Sequence, residues 1–240
     1  FYGRGVEQNV EKAYRFMEEA AKMQYLPAML FLGDWFISNS NPEPSPSTSF
    51  EWYKQAVKLK SNEGRMKLGL SYIYSIGVEA NFYQGCYWLE RAGEKGYTPA
   101  MLKAGEVWLN SGGQGKFIAY IWLFLAGQLG NEEARILRDK VSLTISVDTV
   151  VGLQALAKPM LKRIRENKVG KHALIKALNR LYKRDLDYAA YDLVQPTGDV
   201  NAIGAVISEL ESNIVDQPVD EEKPAPLDFS VSQMDQTTRL

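Results

Sequence analysis

Apolar residues between positions 64 and 95 recur at the spacing of two helices joined by a turn. Met66, Leu68, Tyr72, Ile73 and Ile76 keep to one helical face and predict a helix over 64–75, which Gly77-Val78 should end. A second helix is predicted over 82–95, stopped by Gly96. The same phrase returns at a fixed distance. Trp52, Trp88 and Trp122 head three near-copies, and Leu32-Gly33 reappears as Leu68-Gly69 and again as Ala104-Gly105. Ala20, Ala56 and Ala92 keep a 36-residue step, and Ala126 follows 34 later. A period of this size signals a solenoid of stacked helix pairs. Gly33, Gly69 and Gly105 stand mid-helix, where glycine costs about 1 kcal/mol relative to alanine. A cost repeated on one step predicts helices too close for a larger side chain, with the tryptophans filling the wider gaps.

Each repeat therefore reads as helix A, turn, helix B, turn. In the second repeat the turn is a Pro- and Ser-rich stretch, 39–47, expected to be an exposed loop. Beyond Ala134 the pattern predicts two capping helices, 134–143 and 147–161, because the end of a solenoid needs a polar outer face. One long helix is predicted over 171–194, with Leu174, Leu178, Leu181, Leu186, Ala189 and Leu193 on one stripe and Pro196 ending it. Ile203, Val206, Ile207, Leu210 and Ile214 mark a last helix, able to pair with it as a hairpin. From Asp216 the composition turns to Pro, Asp, Glu, Ser and Gln, so 217–240 is expected to be disordered. The expected organisation is repeats over 1–134, capping helices over 135–161, a basic-then-acidic helical extension over 162–215 and an acidic tail over 216–240.

These residues resemble the Sel-1-like repeat, a relative of the tetratricopeptide repeat. Its pattern is Ala-x3-Leu-Gly-x2-Tyr, a Gly-x-Gly-Val turn, then Lys-Ala-x2-Trp-x3-Ala-Ala-x2-Gly-x3-Ala. Repeat one matches the second half through Gly3-Arg4-Gly5-Val6, Lys12-Ala13, Phe16, Ala20-Ala21 and Ala28. Repeat three keeps Leu68-Gly69, Tyr72, Gly77-Val78, Trp88, Ala92, Gly96 and Ala100. Repeat two lacks the turn glycines, and repeat four is clearest from Trp122 to Ala134. The resemblance implies an all-α, right-handed solenoid of helix-turn-helix repeats, followed here by the C-terminal helical extension and disordered tail. It also implies a non-enzymatic scaffold for another protein or peptide, of the kind that serves bacterial envelope assembly, host interaction or signalling. On the repeat period Phe1 aligns with Ile73, so the first helix of repeat one is missing and the chain is expected to be a fragment or a processed product. A signal peptide could have left with that part, which keeps both bacterial cytoplasm and periplasm open.

Composition narrows the function classes. No window of 18 uninterrupted apolar residues occurs, so no transmembrane segment is expected. Cys86 is the only cysteine, which excludes an internal disulfide; its apolar-face position predicts a buried structural thiol. The single histidine, His172, has no carboxylate near it in sequence, and a pairing with Cys86 would need contact across some 86 residues of chain. No metal-ligand spacing, nucleophile elbow or phosphate-binding loop is present, so no catalytic, cofactor or metal residues are assigned. Gly112-Gly113-Gln114-Gly115 follows a helix instead of a strand and reads as a turn.

The net charge of −1 conceals segregation. Residues 158–184 carry ten basic side chains against Glu166 alone, and residues 185–240 carry twelve acidic against two basic. The basic segment is the alternative functional element, an electrostatic binder of nucleic acid or anionic membrane. Tyr182 is its only aromatic, which disfavours single-strand nucleic acid, and the acidic tail offers an internal counter-charge.

Comparing repeats within the chain separates scaffold from surface. Leu32/Leu68/Ala104, Gly33/Gly69/Gly105 and Phe36/Tyr72/Trp108 keep their type, as a core must. Phe31/Lys67/Lys103, Asp34/Leu70/Glu106, Trp35/Ser71/Val107 and Ser38/Tyr74/Asn110 do not. The varying positions share a helical face and predict a strip across stacked helices A, which line the concave surface in the family resembled. The partner-binding candidates are Phe31, Asp34, Trp35, Lys67, Leu70, Tyr74, Lys103 and Glu106, with Phe31, Trp35 and Tyr74 as aromatic anchors.

Overall fold

Side-chain caps start several of the helices, and left-handed residues follow the helices B at equivalent positions of the repeat. The structure is a computed structural model, and it describes residues 9–191. Asn9, Ser61, Asn81 and Asn131 each accept a hydrogen bond from the backbone N–H three residues on, at 2.8–2.9 Å, satisfying a donor that the helix itself leaves orphaned. Helices B end at equivalent left-handed residues: Gln24, Lys60, Gly96 and Gly130, with φ of 64°, 63°, 79° and 96°. Only two of these are glycine, so the fold imposes the conformation even where a side chain is disfavoured.

The repeat pairs form from α1 (Val10–Lys22), α2 (Leu26–Trp35) with α3 (Pro46–Lys58), α4 (Asn62–Tyr74) with α5 (Phe82–Gly93), and α6 (Thr98–Leu109) with α7 (Gly115–Gln128). Each helix packs on the next in chain order, through to α8 (Glu132–Ser142). The mid-helix glycines sit where two helices nearly touch. A Cβ on Gly33 would lie 2.2 Å from the Tyr53 ring, one on Gly69 2.9 Å from the Gly85 carbonyl, and one on Gly105 2.6 Å from Leu123. This is the steric reason for a glycine at each step. Trp88 and Trp122 fill the gaps at 2% and 0% exposure, as expected, whereas Trp52 is only half-buried against the smaller cluster formed by α1–α3. Helix α7 is buried from Ile118 to Ala126 and shows no polar face, because α6, α8 and a further helix enclose it.

That further helix is α9 (Val147–Arg165), which packs on α7 and buries Leu153, Ala157, Met160, Leu161 and Ile164. The chain then turns at Asn167 (φ 53°) and runs back along the row of helices B. There α10 (Ala173–Tyr182) and α11 (Tyr188–Tyr191) lie on α5.

Two sequence expectations need correction. The helix of 64–75 ends at Tyr74, with Ser75 left-handed (φ 56°), two residues before the glycine expected to stop it. Gly77 serves another end: a Cβ there would lie 2.0 Å from the Pro46 carbonyl, so it lets the turn approach the start of α3. The single helix over 171–194 does not form either. It breaks after Tyr182, with Lys183 left-handed (φ 49°) and 183–187 outside any helix. The break lets Arg184 reach a buried carboxylate and seats Leu186 in the core at 2% exposure. Asp187 then starts α11 by accepting from Ala189 and Ala190 N–H. The turn motif of repeat one, the expected helix around 203–214 and the expected disorder of 217–240 lie outside the described residues.

Candidate interaction surfaces

The A-helix strip is built by α2, α4 and α6. Asp34 and Lys67, 33 residues apart in sequence, meet at 2.8 Å and tie α2 to α4. The Tyr53 hydroxyl donates to the same carboxylate at 2.7 Å, and Glu63 lies 3.6 Å from the Lys67 ammonium. Burial, then the hydrogen bond to Asp34, raises the Tyr53 phenol well above its ordinary value. One repeat on, Lys103 pairs with Glu106 at 2.8 Å, and that bond raises the lysine's pKa. The four charges assigned to the strip therefore neutralise one another. Partly exposed pairs like these are worth about 0–1 kcal/mol each, so their effect is chiefly to hold side chains in place.

The apolar candidates divide. Tyr74, the last residue of α4, is 62% exposed. Phe31 and Trp35 are half-buried, and Leu70 packs partly against the core. The Trp35 carbonyl accepts from the Asn41 side chain at 3.2 Å, which folds the proline-rich loop back onto the end of α2. At the positions equivalent to Trp35, Ser71 is 1% and Val107 6% exposed, so the strip narrows across α4 and α6.

The opposite row of helices carries a buried polar node with no counterpart among the sequence candidates. Glu90 on α5 and Glu94, the C-cap residue of that helix, lie one turn apart, each with its side chain fully buried. Arg184 clamps Glu90 with two bonds of 2.5 and 3.0 Å, and the Trp108 indole N–H donates to the same carboxylate at 2.6 Å. The Arg184 guanidinium stacks over that indole at 5.0 Å. Glu94 accepts from Arg91 at 2.9 Å and from the backbone N–H of Leu174 and Ile175 at 2.8 and 3.1 Å. It thereby caps the N-terminus of α10, whose own cap residue, His172, is left-handed and makes no side-chain cap. Burial raises the Glu94 carboxyl, opposed by Arg91 and those N–H donors.

His172 is buried, with its ring 3.0 Å from the Tyr87 hydroxyl and its backbone N–H on Glu94. His172 therefore does make a long-range contact with α5, through Tyr87 and not through Cys86. Cys86 itself is fully buried, and burial pushes its thiol well above the ordinary value. The arm spends Arg184 of the basic segment internally, and Lys168 pairs with Glu166 at 3.0 Å.

Where the arm meets the turn after α6, a pocket of about 520 Å³ opens. Phe82, Tyr83, Trp108 and Tyr182 form its aromatic walls, and Lys183 stands at its edge. Among the described residues no group of three or more metal-binding side chains occurs, and no helix is long and apolar enough to cross a membrane.

Stacked helix pairs with a mid-helix glycine in each define a helical-repeat solenoid. The Sel1 repeat family matches residues 1–25, 26–61 and 63–97, so this part of the chain carries three Sel1 repeats. The helix pairing continues through α6 and α7, beyond the last matched repeat. The fold is similar to that of a protective antigen of uropathogenic Escherichia coli strains displaying an SLR fold (18% identity, TM-score 0.59, 82% of this chain and 40% of that one). The chain thus spans well under half of that antigen. It is also similar to a Sel1 repeat protein from Oxalobacter formigenes (17% identity, TM-score 0.52, 80% of this chain and 81% of that one). At these identities the likeness concerns the fold alone. No curated protein matches the chain. Sel1 repeats as a class mediate protein–protein interaction and are typically non-enzymatic scaffolds.

Proposed function

We propose that this chain is a non-enzymatic scaffold that binds a partner protein or peptide across the faces of α2, α4 and α6. The observation that carries the reading is the exposed Tyr74 ring beside a strip whose own charges are already paired. An apolar partner side chain can settle there without stripping water from an unpaired ion. Phe31, Trp35 and Leu70 supply the neighbouring apolar area. Asp34, Lys67, Lys103 and Glu106 hold the strip in shape and offer hydrogen bonds at its rim. The test is affinity capture from a bacterial lysate with the wild-type chain and with the Trp35→Ala, Tyr74→Ala double variant, at low and high salt. A partner held by the wild type at high salt and lost by the variant is expected. Equal capture by both would remove the site from this face. Capture that disappears with salt or nuclease would transfer the function to the basic segment 158–184.

A further inference from the structure

The pocket beside the arm is asymmetric in charge. Its lining holds two cations, Lys183 and Arg184, and no carboxylate. Arg184 is spent on Glu90, so the inner wall is neutral. Lys183 is exposed and makes no ion pair among the described residues. The opposite wall is the start of α7, through Gln114 and Gly115, a helix with neither a side-chain cap nor an acid in its first turn. Both favour a negative charge at the mouth. The aromatic walls favour a ring beneath it. The fitting occupant is therefore a carboxylate flanked by large apolar side chains.

The chain carries such a segment. Residues 192–240, outside the described residues, hold ten acidic and two basic side chains, against 18 acidic and 25 basic over 9–191. Phe229 is the only aromatic among them and stands in Leu227-Asp228-Phe229. The chain also leaves the described fold close to the pocket. The Tyr191 ring lies 5.9 Å from Tyr87 on α5, and Tyr87 is five residues along that helix from Phe82 in the pocket wall, about 7.5 Å of rise. Covalent attachment makes the encounter intramolecular, so even weak pairwise contacts can fill the site.

We propose that the pocket between the α6–α7 turn and the end of α10 is a docking site for the chain's own acidic C-terminal segment, with Phe229 among the aromatic walls and Asp228 facing Lys183. The segment then acts as a built-in competitor, and any outside peptide with the same acid–aromatic chemistry has to displace it.

Cys86 is fully buried, so a cysteine introduced by Ser232→Cys can be spin-labelled selectively in the full chain. At low salt the amide signals of Gly112, Gly113 and Lys183 should lose intensity several-fold relative to Gly33 in α2. The loss should be reversed by Lys183→Glu, by Phe229→Ala, which leaves the folded repeats untouched, and by high salt. Absent or uniform broadening would overturn the proposal, as would broadening that survives both substitutions. Broadening of an isotope-labelled, unlabelled-spin chain by a separate spin-labelled copy would also overturn it, because the contact would then be between molecules.

Discussion

The repeats and the C-terminal arm are held by different physics. In α2–α7 the contacts are steric and periodic: a glycine on one helix receives Tyr53, Leu89 or Leu123 from the next, once per repeat. In the arm, apolar burial of Leu174, Ile175 and Leu178 is joined by buried polar contacts that occur once: Arg184 on Glu90, and Glu94 across the first amides of α10. A periodic contact needs only its neighbour in chain order, so repeats tolerate drift in any one unit. The arm depends on pairs 80 and 94 residues apart, and each is buried where a broken partner cannot be rescued by water. Loss in the arm should be large and local; loss in the repeats should be moderate and shared.

The largest effect that distinguishes the two is Arg184→Met. It leaves Glu90 charged and buried, and should cost about 3–5 kcal/mol in chemical denaturation. Amide exchange should rise first in α10 and α11 while α2–α4 stay protected; equal exposure of α2–α4 would contradict a separately held arm. Gly69→Ala comes next. Its Cβ meets the backbone carbonyl of Gly85, which can yield only if α5 shifts, so a loss of about 1–3 kcal/mol is expected despite alanine's better helix propensity.

Alkali provides a finer probe of the arm. Burial raises the Tyr182 phenol to about 12 from an ordinary 10.0. The folded state therefore keeps a proton that the unfolded state gives up. This contribution to stability is complete below pH 10 and is lost as pH climbs towards 12, by at most about 1.4 kcal/mol per pH unit. Tyr182→Phe should flatten the denaturation midpoint against pH above 10, and an unchanged slope would place the phenol outside the folded arm. The smallest effect is a gain. Gly152 lies in α9 with no atom within 4 Å of a Cβ position, so Gly152→Ala should add about 0.5–1 kcal/mol by calorimetry. Opposite signs at Gly69 and Gly152 would confirm that close approach, and not composition, selects the repeat glycines.

The candidate strip was partly legible. Varying residue type across equivalent positions pointed to Asp34, Lys67 and Tyr74, which do lie at the surface. It could not foresee that Ser71 and Val107 turn inward where Trp35 stays half-exposed, because that depends on the local rotation of each helix. The buried node had one faint signal. Glu90 and the C-cap Glu94 stand one turn apart at the buried end of α5, and repeat four places Phe124 where Glu90 stands, two residues after its tryptophan. The partner, Arg184, looked like one more charge in a basic run. His172 seemed isolated for the same reason: its neighbours come from α5 and α11, not from nearby sequence.

Periodicity was enough to establish helix pairs, their order, the glycine contacts and the burial of Trp88, Trp122 and the thiol, since each rests on interactions between adjacent elements that any repeat reproduces. The path of the chain after α8 needed three dimensions. A leucine stripe over 171–194 suits a long helix, yet burying Arg184 against Glu90, seating Leu186 in the core and capping α10 with Glu94 together favour a broken one. Local propensity is worth tenths of a kcal/mol per residue, whereas an unpaired buried charge costs several, so the distant carboxylates prevail.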